Sequence, residues 1–383
     1  MPHRAAKNKG KCIVVGGSVI DVVYQAIGTS GSSSGSSHQG SSPVKAKDMP
    51  FTSTPCRLVR RSPGGVGRNI AQAIGAIGGF DVTLFTAVGK DALPAQTEPV
   101  TVHYRQEVQI IPSLPTATYV ALLGGDGDLA AAAADMELLD KLVPDVFLGN
   151  AVFVAAVKTA DVLILEGNMP QVVIEAITGF AVESNPGLSM YFDPVSPQKA
   201  IRALSSIDRF TAIKPNEYEV RAMAGALSGQ PSQTGEEDVV AEAKANVGKL
   251  LELTKCGMVV ATLGPHGAVV GARTPNKEEK FVLLSFAAEP IKPEELVKVT
   301  GAGDTFLACF ITATYATSKR QSATVISRTT EQLLSDCAKW AMKGSALALR
   351  TTEPIPVESL RQHYADLVQR LDAKELRGPQ SKL

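Results

Sequence analysis

Along this chain, short apolar runs bounded by Gly, Pro and Asn alternate with longer amphipathic segments. "CIVVGG" (12–17), "VTLFTAVG" (82–89), "DVLILEGN" (161–168), "SMYFDP" (189–194), "FTAIKPN" (210–216) and "MVVATLG" (258–264) read as buried strands. Between them "GRNIAQAIGAIG", "QVVIEAITGFAVES", "PQKAIRALSSI" and "EEDVVAEAKANVGKLLEL" have helical spacing. The alternation predicts βαβ units, and so an α/β fold with a mostly parallel central sheet and helices on both faces. Ligands of such sheets sit beyond the carboxyl ends of the strands. Asn216 and Gly264 follow strands there, and Asp304 lies in the connection after them.

The 15 residues from 28 to 42 break the pattern, with Gly or Ser at 12 of them. Such a segment buries too little apolar surface to offset its ordering entropy and is expected to be a flexible insertion without chemistry. The chain has 383 residues, 44% of them hydrophobic and 20% charged, enough for a large core. Lys plus Arg and Asp plus Glu number 38 each, so no overall field draws the chain to nucleic acid or membrane, and a small-molecule partner is expected. The five cysteines are scattered without a CxxC pair and the histidines lack ligand spacing, which predicts reduced thiols, an intracellular setting and no structural zinc. No apolar stretch is long enough to span a bilayer, and the basic tail 1–10 lacks the apolar core of a secretory signal. The chain ends in Ser381, Lys382 and Leu383, the tripeptide read by the peroxisomal import receptor, on an exposed polar tail 373–383. Import into peroxisomes or a related organelle such as the glycosome is expected, otherwise a cytoplasmic location.

Four glycine-containing clusters are candidates for chemistry. In "SPGGVGRNIAQAIGAIGG" (62–79), Gly64 and Gly65 admit either close helix packing or a ligand, to which Asn69 offers a hydrogen bond. "ATLGPHGAVV" (261–270) is a strand-turn-strand or a turn against a nucleotide, bordered by Thr262, Gly264 and Gly267. In "KPNEYEV" (214–220), Asn216 and Glu219 either start a helix with favourably placed acids or, three apart on one face, hold magnesium through water. "KVTGAGDTFLACF" (298–310) opens a helix with free N–H groups behind two glycines; Asp304 is an N-cap or a functional carboxylate beside an anion site. No Walker-type GxxxxGK[ST] is present.

The order "VVGGSVIDVV", "GGVGRN", "NEYE", "TLGPHG", "TGAGDTF" resembles the PfkB or ribokinase-like family of sugar and nucleoside kinases over residues 11–350. The resemblance implies a ribokinase-like three-layer fold with a small β lid, here including "TYVALL" from Thr118, with 351–372 as a C-terminal helical segment of the same domain. It implies ATP and Mg2+ as cofactors. It implies Asp304 as the base, with the N–H groups of Gly301, Ala302, Gly303 and Asp304 around the transferring phosphoryl group. Asp21, Gly64, Gly65, Asn69 and Thr118 would bind the sugar, Thr262, Gly264 and Gly267 the nucleotide, and Asn216 and Glu219 the magnesium. "TATYVALLGGDGDLAAAAADMELLDKL" (116–142), "LEGNMP" (165–170) and "MYFDPVSPQKA" (190–200) are similar to the corresponding runs of pseudouridine kinases, implying phosphorylation of the 5'-hydroxyl of pseudouridine. A ribokinase, a purine-nucleoside kinase or a catalytically silent nucleoside-binding member are the alternatives. Lid sheets of this fold often pair, so the resemblance leaves a homodimer through the lid open without deciding the oligomeric state.

Two departures stand out. The family often has Asp-Thr where Lys298 and Val299 stand, and that aspartate helps build a monovalent-cation site, so potassium activation is in doubt. Two prolines in "ALPAQTEPVTVHYRQEV" (92–108) predict that the family's helix is not formed there, which alters the lid or oligomer contact near 92–110.

Overall fold

Among the described residues, thirteen strands form two sheets. The structure is a computed structural model that describes residues 9–27, 54–99, 101–126, 128–229, 238–274, 280–321 and 330–376. The Gly/Ser-rich insertion 28–42 and the Ser381-Lys382-Leu383 tail lie outside the described residues, as does all but the end of the basic tail. The strands are β1 (Gly10–Val15), β2 (Val19–Ala26), β3 (Cys56–Gly64), β4 (Phe80–Val88), β5 (Arg105–Ile110), β6 (Thr118–Leu123), β7 (Leu129–Asp135), β8 (Val162–Glu166), β9 (Ser189–Asp193), β10 (Ala212–Ile213), β11 (Met258–Thr262), β12 (Ala268–Arg273) and β13 (Phe281–Phe286).

The larger sheet has the order β13-β12-β11-β10-β9-β8-β1-β4-β5. From β11 to β5 every pairing is parallel, and β12 and β13 add an antiparallel edge. Because successive side chains of a strand point to opposite faces, this sheet has two cores. Ile13 and Val15 of β1 join the apolar cluster under the helices Gln171–Ser184, Glu217–Ser228 and Val239–Leu253. Cys12 and Val14 join the other, under the helices Val66–Ile77, Ala302–Gln321 and Thr330–Leu349. Each fully buried Leu, Ile or Phe in these layers contributes about 1.5–3 kcal/mol.

The helix Val66–Ile77 sits close to the sheet because its glycines have neighbours where a side chain would be. A Cβ on Gly67 would lie 2.6 Å from the Gly16 Cα, and one on Gly75 would lie 2.0 Å from the His103 carbonyl oxygen. The buried spacing Ile70, Ala73, Ile74, Ile77 is that of one helical face.

The smaller sheet has the order β3-β2-β6-β7 and is joined to the larger one through the short β1–β2 connection and the β3-to-helix turn. "LAAAAAD", whose alanines also favour helix, is strand β7 paired antiparallel with β6, so pairing overrides propensity. "FTAIKPN" gives only the two-residue β10, since Pro215 has no N–H for a ladder. The 92–110 region holds a single helical turn, Pro94–Thr97, and the buried Gln96 ties it to Ser18 by a 3.1 Å hydrogen bond. Among the described residues, no helix is long and apolar enough to cross a membrane.

Candidate active site

The charged residues of the apolar parallel strands gather at their carboxyl edge. Glu166 ends β8, Asp193 ends β9 and is its register partner, and Lys214 follows β10, its N–H bonded to the Phe192 carbonyl at 2.9 Å. One strand further, Asn216 bridges Thr262 at the end of β11. Parallel pairing thus brings four separate sequence segments to one edge.

Lys214 is the centre of this edge. Its buried ammonium pairs with Asp193 Oδ2 at 2.8 Å. Burial alone would depress the lysine, but Asp193 and Glu219 outweigh it and hold its pKa above the ordinary value. Asp193 Oδ1 accepts from the Val195 N–H at 3.1 Å, which orients the other oxygen toward the lysine. Val195 adopts φ 69, a left-handed conformation costly for a β-branched residue, so the turn behind Asp193 is strained.

Above this edge begins the helix Ala302–Gln321. Gly301, at φ 86, has its would-be Cβ 2.4 Å from the Pro354 carbonyl, so glycine is required by both conformation and space. A Cβ on Gly303 would lie 3.0 Å from Lys214 Nζ, which places that ammonium directly beside the glycine turn. Asp304 lies inside the first turn of the helix rather than at the capping position before it. Its carboxylate is buried and accepts from Asn69 Nδ2 at 2.8 Å. Burial, then the charge of Asp193, raises the Asp304 pKa to about 7 against the opposing pull of Lys214 and Asn69. Asn69 keeps a buried Oδ1 without a protein partner, aimed from the same amide.

Asn216 and Glu219 form a reciprocal cap. Asn216 Oδ1 accepts from the N–H groups of Tyr218 and Glu219, while the Glu219 carboxylate accepts from Asn216 N at 2.7 Å and Nδ2 at 2.9 Å. Burial and then Asp193 raise Glu219 to about 7, with Asp304 adding to the effect. Three carboxylates, Asp193, Glu219 and Asp304, therefore face one lysine, an excess of negative charge that a divalent cation would offset. The donors are all oxygens, which suits magnesium. Among the described residues no three His, Cys, Asp or Glu side chains are placed to ligate a metal together, so side chains of these types alone would not complete the ion's shell.

On the side of the smaller sheet, Asp21 of β2 faces Gly64, whose Cβ would lie 2.0 Å from Asp21 Oδ2. Burial raises the Asp21 pKa, opposed by the guanidinium groups of Arg60 and Arg68 and by Lys298. Gly65, at φ 97, packs on the Gly17 carbonyl at a would-be 2.5 Å and starts the helix that carries Asn69. Thr118 pairs with Ile20 beside Asp21, but its hydroxyl donates to the Thr116 carbonyl at 2.9 Å. Gly264, at φ 54, has open space where a side chain would be, and Gly267, at φ 93, packs on the Phe286 carbonyl.

The geometry brings Asp304, Asn69, the glycine turn, Asn216 and Glu219 together around Lys214, and puts Asp21 next to Gly64 and within the field of Lys298, which also acts on Asp304. Asp193, Lys214 and Glu166 were not legible as site residues, although each stands as a lone charge at the end of an apolar strand. Glu166 is fully buried, raised to about 7 by that burial, and accepts from the N–H groups of Gly17 and Asn168 at 2.8 and 3.0 Å, fixing the glycine turn after β1.

A family model described as pfkB family carbohydrate kinase matches residues 47–358. The chain belongs to the PfkB family. It is a sugar or nucleoside kinase of that family, a phosphotransferase with an alcohol group as acceptor. The kinase is 28% identical over 255 residues to a pseudouridine kinase of Escherichia coli (strain K12), covering 65% of this chain and 72% of that one. It is 26% identical over 228 residues to a pseudouridine kinase of Arabidopsis thaliana, covering 57% and 58%. The fold is ribokinase-like. A ribokinase from Giardia lamblia superposes with a TM-score of 0.68 at 17% identity, over 95% of this kinase and 100% of that chain. Arabidopsis thaliana ribokinase complexed with ribose and ATP gives 0.63 at 19% identity, over 94% and 99%.

Proposed function

We propose that the kinase transfers the γ-phosphoryl group of ATP to the 5'-hydroxyl of pseudouridine. The observation that carries the reaction is the buried Asp304 carboxylate, held by Asn69 and raised to about 7, beside a helix start at which Gly301 admits no side chain. A base titrating near neutrality can take the acceptor's proton, and the N–H groups of Gly301, Ala302, Gly303 and Asp304 can receive the charge of the moving phosphoryl group. Lys214, beside Gly303, adds a fixed positive charge at the same place. Asp21 accepts from vicinal ribose hydroxyls, Asn69 Oδ1 takes a further hydroxyl, and Gly64 and Gly65 let the sugar approach, with Thr118 alongside. Thr262, Gly264 and Gly267 border the nucleotide. Asn216 and Glu219 would hold Mg2+ through water, and the ion would supply neutralisation of phosphate charge.

The choice of pseudouridine rests on the likeness to the bacterial and plant pseudouridine kinases. A homodimer through the smaller sheet accompanies this reading, supported by exposed Leu58, Val59, Tyr24 and Tyr119 on its strands. A coupled assay of ADP formation with MgATP and a panel of pseudouridine, uridine, adenosine and ribose tests the proposal. Preferred turnover of pseudouridine is expected. Equal turnover of ribose or adenosine overturns the acceptor while leaving the family, and nucleoside binding without ADP identifies a silent member.

A further inference from the structure

Lys298, six residues before Asp304, points its ammonium back into the glycine turn. Nζ donates to the Thr300 carbonyl at 2.8 Å and to the Pro354 carbonyl at 3.3 Å. The same Pro354 oxygen is the atom against which Gly301 packs, and Nζ would stand 3.6 Å from a Cβ on that glycine. One positive charge therefore sits between two carbonyl dipoles, one from the irregular segment leading into the helix Ala302–Gln321 and one from the segment after the helix Thr330–Leu349. The two segments are stitched together nearby by Val297 N–H to the Leu349 carbonyl at 2.8 Å and Ser345 Oγ to the Ala302 carbonyl at 3.0 Å.

Groups of both signs act on this ammonium. Burial and Arg60 depress its pKa, while Asp304, Glu353 and Asp21 counteract them. In return Lys298 lowers both Asp21 and Asp304, the two carboxylates read as touching the acceptor. A free monovalent ion at these carbonyls would meet an ammonium already hydrogen-bonded to them, at a separation where like charges repel strongly. The residues present thus do not fit the ion that the family resemblance implies at this turn.

We propose that Lys298 is a tethered cation: a positioning residue that orders the turn 300–304 by binding the Thr300 and Pro354 carbonyls, and so makes the kinase independent of monovalent metal ions. The position of Asp304 and of the adjoining N–H groups depends on the carbonyls that Lys298 gathers. The inference rests on the kinase reading of the site, but its thermal arm does not depend on which acceptor is used.

The test compares wild type and Lys298→Ala as full-length chains in potassium, ammonium and tetramethylammonium salts at equal ionic strength. Melting temperature and, with the preferred acceptor, kcat and KM are measured for each. Wild type should show the same melting temperature and kcat in all three salts. In tetramethylammonium, Lys298→Ala should lose about tenfold or more in kcat with little change in acceptor KM. Potassium or ammonium should then raise both its kcat and its melting temperature, because a free cation can enter the vacated carbonyl pair. Potassium activation of the wild type overturns the proposal, as does a variant with wild-type kcat in tetramethylammonium. A variant that is impaired but indifferent to cations also overturns it, since a side chain that merely packs leaves nothing for an ion to restore. Should no acceptor be turned over, the salt response of the two melting temperatures still decides, and the failure then belongs to the proposed activity alone.

Discussion

Asn69 Nδ2 donates to Asp304 Oδ2 at 2.8 Å across 235 residues of sequence, joining the first helix of the fold to the helix that follows the glycine turn. The bond does two things. It fixes the direction of the carboxylate, and it favours the ionised form that a base requires. Asn69→Ala should therefore lower kcat by about tenfold and move the acidic limb of the kcat/KM profile to higher pH. A variant with lower kcat but an unmoved limb would show that Asn69 only packs.

The pH dependence of activity and that of stability should run in opposite directions. Asp304, at about 7 in the folded protein, must be ionised to act, so kcat/KM should rise with pH through about 7 and level off above it. For stability, a carboxyl raised above its unfolded value of 3.8 holds its proton longer in the folded chain than in the unfolded one. Its contribution is thus fully present below about pH 4, lost as pH rises toward 7, and flat beyond. The difference in melting temperature between Asp304→Asn and wild type should grow from pH 5 to pH 8 in favour of the variant, as differential scanning calorimetry would record. A constant difference would contradict the raised carboxyl.

Gly64 and Gly65 should fail differently although they are neighbours. The nearest atoms to a methyl on Gly64 are those of the Asp21 carboxylate, 2.0 Å away, which can swing aside. Gly64→Ala should raise acceptor KM about tenfold with a small change in melting temperature. A methyl on Gly65 meets the Gly17 backbone at φ 97, so Gly65→Ala should lower stability by about 1–3 kcal/mol, read by urea unfolding. Equal effects on both readouts would show that Asp21 has no part in acceptor binding.

The sequence pattern marks the six parallel-sheet runs because strands buried on both faces are apolar throughout, and it marks the helices because their buried residues recur at helical spacing. β2, β3, β5 and β13 are harder to see, since one side of each meets solvent or the other sheet and their composition is mixed: β3 reads "CRLVRRSPG". The glycine turn was legible as a place where backbone N–H groups meet an anion. Whether Asp304 caps or acts was not, because that depends on Asn69, which only the packed fold brings near. Lys214 and Asp193 escaped for the same reason: their meaning lies in parallel register, which places Lys214 next to Phe192 and hence beside Asp193. The SPGG and KPN clusters were ambiguous alone, and the reciprocal bonds of Asn216 and Glu219 show a cap and a charged site in one pair.

Lys214 should be the site residue most costly to remove for folding as well as catalysis. Lys214→Met leaves Asp193 buried without its cation, which destabilises by about 3–5 kcal/mol. The variant should be least stable at alkaline pH and recover toward acid, where Glu219 and Asp304, both raised to about 7, are neutral. Chemical denaturation at pH 5 and pH 8 distinguishes this from simple loss of packing, which would be independent of pH.

The most direct test of the central claim, that Asp304 is the base of a phosphoryl transfer, is kcat of Asp304→Asn measured with saturating MgATP and the preferred acceptor, alongside nucleotide affinity and melting temperature. The substitution keeps the size of the side chain and can still accept from Asn69, so fold and nucleotide binding should persist. With Asp304 as the base, kcat should be lower by about 10²-fold or more at unchanged nucleotide affinity. Wild-type turnover in this variant would contradict it.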